Sequence, residues 1–107
     1  MSGTEGPEPG CWAVVFTSRL KEKAPGYAAA ADKMEALARQ QPGFLAVHSA
    51  RGADRFGITV SWWESREAIA AWRAHPQHAA VRAQAGEWYE DWSVRILKLE
   101  EGHGAPH

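Results

Sequence analysis

Apolar and polar positions along this chain follow two periods, and each change of period marks the edge of an element. Residues 11–20, CWAVVFTSRL, are β-branched and aromatic and stay apolar on both faces as far as Phe16. That pattern predicts a first strand in the middle of a sheet covered on both sides. Residues 21–26 are polar and close on Pro25 and Gly26, a turn. From 27 to 40 the period lengthens, with Tyr27, Ala31, Met34, Leu37 and Ala38 on one helical stripe and Asp32, Lys33, Glu35 and Arg39 outside it. Pro42 and Gly43 end that helix. FLAVHSA, 44–50, predicts a second strand, in which His48 is expected to share a face with Phe44 and Ala46. RGAD, 51–54, supplies turn residues before a third strand at 56–63, so strands two and three form an antiparallel hairpin.

The densest stretch runs from Ile58 to His78. Ile58, Val60 and Trp62 alternate with Thr59, Ser61 and Trp63 on opposite strand faces. Ser65 is placed to cap a helix over 66–74, with Glu67 in its first turn and Ile69 and Trp72 one turn apart. Pro76 opens a further helix, and His75 before it marks the break and is expected to cap carbonyls. His78, Val81, Ala85 and Trp88 are then expected on one face. Residues 92–100, WSVRILKLE, predict a fourth strand, with Val94 and Ile96 set against Leu97 and Leu99 after a one-residue slip. The order β-α-β-β-α-β, with the second helical region split in two, is an α+β, ferredoxin-like plan with helices on one face of an antiparallel sheet. Strands one and four are apolar on both faces, so the other face calls for a second copy. The expectation is a homodimer, a dimeric α+β barrel.

Composition changes this picture little. The 107 residues suit one domain, 11–100, between an N-terminal arm (1–10) and a C-terminal tail (101–107), both expected to be disordered. A net charge of -1 and a pI near 6.5 leave no basic footprint for nucleic acid or an anionic membrane. No leader peptide is recognisable, no apolar run reaches the roughly 20 residues of a membrane span, and the single Cys11 permits no intrachain disulfide. These point to a cytoplasmic protein in which Cys11 is an inert small hydrophobe. His103 and His107 lie in the tail as solvated side chains. No metal site is expected, because His75 and His78 lack a third ligand nearby. No phosphate loop, Ser-His-Asp order or carboxylate pair is present. The six Trp are the compositional anomaly, and Trp both packs cores and lines pockets for flat ligands.

PGF at 42–44, W-E-S at 63–65, Ala71–Trp72 and H-P-x-H at 75–78, set between the first and last strands, resemble the ABM (antibiotic biosynthesis monooxygenase) domain. The likeness runs from about Cys11 to Leu99, and the H-P-x-H resembles a branch without an established substrate. The resemblance implies a dimeric α+β barrel with a cavity between sheet and helices. It also implies one of two activities: oxidation of polycyclic phenols to quinones by O2 without metal or flavin, or binding and degradation of haem. For haem, the family's helix Trp falls on Trp72, its strand-one Asn on Ser18 and its axial His near Arg82. Arginine has no lone pair for iron, which leaves His78, one turn earlier, as the substitute ligand. The reading favoured is a cofactor-independent monooxygenase of a phenolic substrate. Its catalytic candidates are His78, Trp72 and Arg82, and its substrate-binding candidates are Trp63, Ser18, Thr59, Ser61 and His75. The alternative is a dimer that binds haem or another hydrophobic ligand.

Overall fold

The computed structural model describes residues 8–104. Its elements are β1 (Trp12–Leu20), α1 (Tyr27–Ala38), β2 (Phe44–Arg51), β3 (Phe56–Trp63), α2 (Arg66–Ala74), α3 (Pro76–Arg82), α4 (Ala85–Trp88) and β4 (Tyr89–Lys98). The four strands form one antiparallel sheet in the order β2-β3-β1-β4. This is the ferredoxin-like arrangement expected from the order of elements. Residues 1–7 and 105–107, which include most of the expected arm and His107, lie outside the described residues. Residues 8–10 form a turn tied down by Gly10 N–H donating to Leu99 O at 2.9 Å. Among the described residues no helix is long and apolar enough to cross a membrane.

Register divides the sheet into two faces. Trp12, Val14, Phe16 and Ser18 of β1 look toward the helices, flanked across the strands by Trp63, Ser61, Thr59 and Gly57 of β3. Ala13, Val15 and Thr17 look the other way with Ile58, Val60 and Trp62, and on β4 with Leu97, Arg95 and Ser93. Among the described residues no helix covers this second face. It holds a shallow depression of ≈ 300 Å³ lined by Ala13, Val15, Val60, Trp62 and residues 97–99, and it leaves Ile58 and Leu97 exposed.

The core sits at one end of the helix-covered face. Trp63 (0% exposed), Ile69 (1%), Trp72 and Ala38 form its centre, with Trp12, Val14, Met34, Leu37, Phe44, Ala68 and Ile96 packed around them. Phe44 meets Trp63 edge to face at 5.5 Å. α2 begins as its sequence dictates, with Ser65 Oγ accepting from Ala68 N–H at 3.0 Å and Glu67 and Arg73 at the ends the helix dipole favours. The PGF turn packs against this helix. Gly43 adopts φ +85°, and a Cβ there would stand 2.6 Å from the Ala68 Cβ. Gly43→Ala is therefore expected to destabilise the fold by about 2–4 kcal/mol, from backbone strain and overpacking together. A urea titration checks it, and an unchanged midpoint would show that the turn can shift away.

Four local expectations change. A register shift between Phe44 and Ala46 puts Phe44 opposite Trp63 on the helix side, while Ala46 and His48 face away with Trp62 and Val60. His48 therefore shares a face with Ala46 and not with Phe44. The helix opened by Pro76 does not run to Trp88. It ends at Arg82, and Gln84 (φ -93°, ψ 2°) breaks it before the short α4. His78 and Trp88 consequently face different neighbours. β4 starts at Tyr89 rather than residue 92, and it pairs with β1 without a slip from 91 to 98, the irregularity falling at Arg19/Leu20. α1 ends at Ala38, with the chain to residue 40 in a turn.

Candidate functional site

The tryptophans of the helix side pack at the two ends of the sheet rather than in its middle. At one end Trp63 and Trp72 stack 6.1 Å apart. At the other, Trp88 meets Tyr27 edge to face at 5.8 Å and donates its indole N–H to Pro25 O at 2.9 Å. Between them lies the cross-strand row Ser49, Thr59, Phe16 and Val94. Phe16 and Thr59 are on central strands yet only half-buried, Ser49 is exposed, and Val94 and the adjacent Trp92 are 37% and 53% exposed. The helices thus leave a trough over the middle of the sheet. Its floor is aromatic and aliphatic on β1 and β4, where Phe16 touches Tyr89 and Trp92. On β2 and β3 it carries the Ser49–Thr59 hydroxyl pair, 2.6 Å apart.

Trp63, Trp72, His75 and His78 are brought together. The imidazole of His78 stacks on the Trp72 ring at 4.3 Å and 10°, and that of His75 lies 5.9 Å from the same ring. The α2–α3 break creates this arrangement: Pro76 at N1 turns the chain so that His78 returns over the last turn of α2. His75 caps, but it caps an amide and not a carbonyl, its Nδ1 accepting from Gln77 N–H at 3.2 Å. His78 Nδ1 lies 3.1 Å from Trp72 O. A carbonyl can only accept, so Nδ1 carries the proton and Nε2 keeps its lone pair. Burial pushes the His78 pKa down from the usual 6.5. The Trp72 carbonyl opposes this, and the positive charges of Arg82 and Arg73 and the neighbouring His75 add to the lowering. The half-buried ring is neutral at pH 7 and presents a basic nitrogen.

The remaining candidates are spread out. Trp63 is fully buried, a wall by way of Trp72, and its Nε1–H donates to Ser61 Oγ at 2.9 Å. Thr59 lies in the trough's floor. Arg82 lies on the outside, donating to Arg73 O at 3.0 Å at the end of α2. Ser18 is buried at the far end of the face, in the row of Gly57 and Trp92, six residues or about 20 Å of strand from the row of Trp63. Cys11 is buried, and burial raises its thiol pKa. Among the described residues no group of three or more His, Cys, Asp or Glu side chains comes together to hold a metal.

Ser18 leads to a cluster that no sequence motif announces. Arg51 reaches across β3 to donate to Ser18 Oγ (2.8 Å), Ser18 O (3.1 Å), Arg55 O (2.6 Å) and Tyr27 Oη (3.2 Å), and its guanidinium lies 5.4 Å from the Tyr27 ring centre. It passes over Gly57, where a Cβ would stand 2.5 Å from the guanidinium carbon. By its residue types RGAD signals a turn and nothing more. The signal that could have found the cluster is a glycine inside the third strand, a mark of close approach by another group.

The sequence profile of the ABM family, antibiotic biosynthesis monooxygenase, matches residues 13–84. Uncharacterized protein YqjZ of Bacillus subtilis (strain 168) is 46% identical over 95 residues, which span 88% of this chain and 83% of YqjZ. Among solved structures, Rv0793 from Mycobacterium tuberculosis superimposes with a TM-score of 0.77 at 22% identity, covering 85% of this chain and 96% of Rv0793. SnoaB, a cofactor-independent oxygenase from Streptomyces nogalater, superimposes with a TM-score of 0.73 at 15% identity, covering 86% of this chain and 95% of SnoaB. At those identities the two solved structures share the fold.

Proposed function

Because this chain belongs to the antibiotic biosynthesis monooxygenase family, we propose that it is a small cofactor-independent monooxygenase that oxidises a phenolic aromatic with O2. The observation that carries the reading is His78, whose proton is fixed on Nδ1 and whose Nε2 is a base beside an aromatic stack. An electron-rich phenol docked over the trough gives its hydroxyl proton to Nε2. The phenolate passes one electron to O2, and the resulting phenoxyl radical and superoxide combine at a ring carbon. The imidazolium returns its proton to the peroxide. Loss of water, with cleavage of the O–O bond and of the C–H bond at that carbon, leaves a quinone. One oxygen atom enters the product and the other leaves as water. Trp72 orients the base, and Phe16 supplies a face for the remainder of an extended ring system.

We also read the uncovered sheet face as the contact of a homodimer, and place the protein in the cytoplasm, where the Cys11 thiol stays reduced. A second reading, binding of haem or a similar hydrophobic ligand, draws on the same His78 lone pair, since an imidazole anchored through Nδ1–H is suited to hold iron through Nε2. Arg82 does not fit that role. A haem titration separates the two: a Soret shift lost in His78→Gln supports ligand binding, and its absence removes that reading. The oxygenase reading is tested by O2 uptake of chelator-treated protein across hydroquinones and polycyclic phenols. Stimulated uptake that survives chelation is expected, and no stimulation by any of them would refute it.

A further inference from the structure

Arg51 is half-buried, and among the described residues no carboxylate lies within ion-pair distance of it, whereas Arg19, Arg39 and Arg55 each have one. Its acceptors are all neutral: two carbonyls, a serine hydroxyl and a phenol. A guanidinium so placed leaves a positive charge without a compensating anion in a partly desolvated site, where an incoming anionic oxygen gains more than it would in water. Two phenols stand beside it. Tyr27 Oη accepts from Arg51, which leaves its own proton to donate. Tyr89, 5.7 Å from Tyr27 between ring centres, has its pKa raised by burial first and by Tyr27 next, so it stays a neutral phenol beside Tyr27 and Ser18. Tyr89 also touches Phe16, which joins this cluster to the trough. Arg51 therefore lies at the Ser18 end of the helix side of the sheet, and His78 lies past the opposite end, behind Trp63 and Trp72.

We propose that Arg51, assisted by the Tyr27 and Tyr89 hydroxyls, is a specificity-determining group that holds an anionic substituent, a carboxylate, of an aromatic substrate. Because the Ser18 and Trp63 rows lie about 20 Å apart, only an extended substrate with its anionic end beside Phe16 and Val94 carries a phenol as far as the Trp72–His78 end. This inference rests on the oxygenase reading for the word substrate, but the binding preference it predicts needs no turnover. Gly57 is required by the design, because any side chain there would occupy the path of the guanidinium.

The test is a calorimetric titration of the full chain with 2-naphthoate and with its neutral isostere 2-naphthamide. Naphthoate is expected to bind at least about tenfold more tightly, the contribution of a charge-assisted hydrogen bond. Arg51→Gln should remove that advantage, so that the two ligands bind this variant with equal affinity. Tyr27→Phe, which keeps the ring against Trp88 and Tyr89, should cut the preference for naphthoate over naphthamide by about threefold, and it serves as the variant if Arg51→Gln does not fold. No binding of naphthoate, equal binding of the two ligands, or a preference that survives Arg51→Gln or is untouched by Tyr27→Phe would overturn the proposal. A naphthoate preference without O2 uptake on any phenol would leave this inference standing and remove the oxygenase reading. O2 uptake without the preference would do the reverse.

Discussion

His78→Gln should lower kcat/KM for phenol oxidation by about 10²- to 10⁴-fold, the usual contribution of a positioned base, while circular dichroism stays native. Glutamine is close to histidine in size and polarity and removes the basic nitrogen. The pH dependence follows from the same geometry. With its folded pKa below the usual 6.5, His78 is an active base across neutral pH, and kcat/KM should fall on the acid side with an apparent pKa under that value. The acid limb should vanish in His78→Gln. Stability should follow the same sign: the neutral ring's contribution is full above the unfolded pKa and is lost as pH falls through the folded one. A limb that persists in the variant would assign the ionisation to another group.

The second large effect concerns assembly. Val60 lies in the middle of the uncovered sheet face, flanked across the strands by Val15 and His48. In Val60→Asp, a homodimer built on that face would bury one unpaired carboxylate from each copy. The cost is several kcal/mol, or about 10³-fold or more in the dimer dissociation constant. Val60 points away from the Trp63–Ile69–Trp72 core, so the fold itself should survive. Sedimentation equilibrium is expected to show a dimer for the natural sequence and a monomer for the variant. A variant that remains dimeric would place the contact elsewhere.

Most of the architecture could be read from local signals, because those signals agree with one another. Third-strand alternation, the Ser65 cap and the Pro76 break each act within a few residues, and the bounds of β3 and α2 fall where they indicate. The face of Phe44 was not readable, since the bulge beside it is set by pairing with Trp62 and Trp63 far along the chain. For the candidate site, Trp72 and His78 were legible as candidates from the motif stretch, but their stacking was not, because it depends on how the Pro76 break folds α3 back on α2. Nor was the tautomer of His78, because it depends on one carbonyl in the completed turn. A family position marks Ser18, yet its partner Arg51 stays hidden: the contact joins β2 to β1 across an intervening strand, a relation no sequence period encodes.

Oxidation of a polycyclic phenol under ¹⁸O2 by chelator-treated protein, followed by mass spectrometry of the product, tests the central claim most directly. The expected result is a quinone carrying one labelled oxygen, one O2 consumed per quinone formed, and a rate unchanged by chelation. A product without label, or activity that disappears on chelation and returns with added metal, would contradict it.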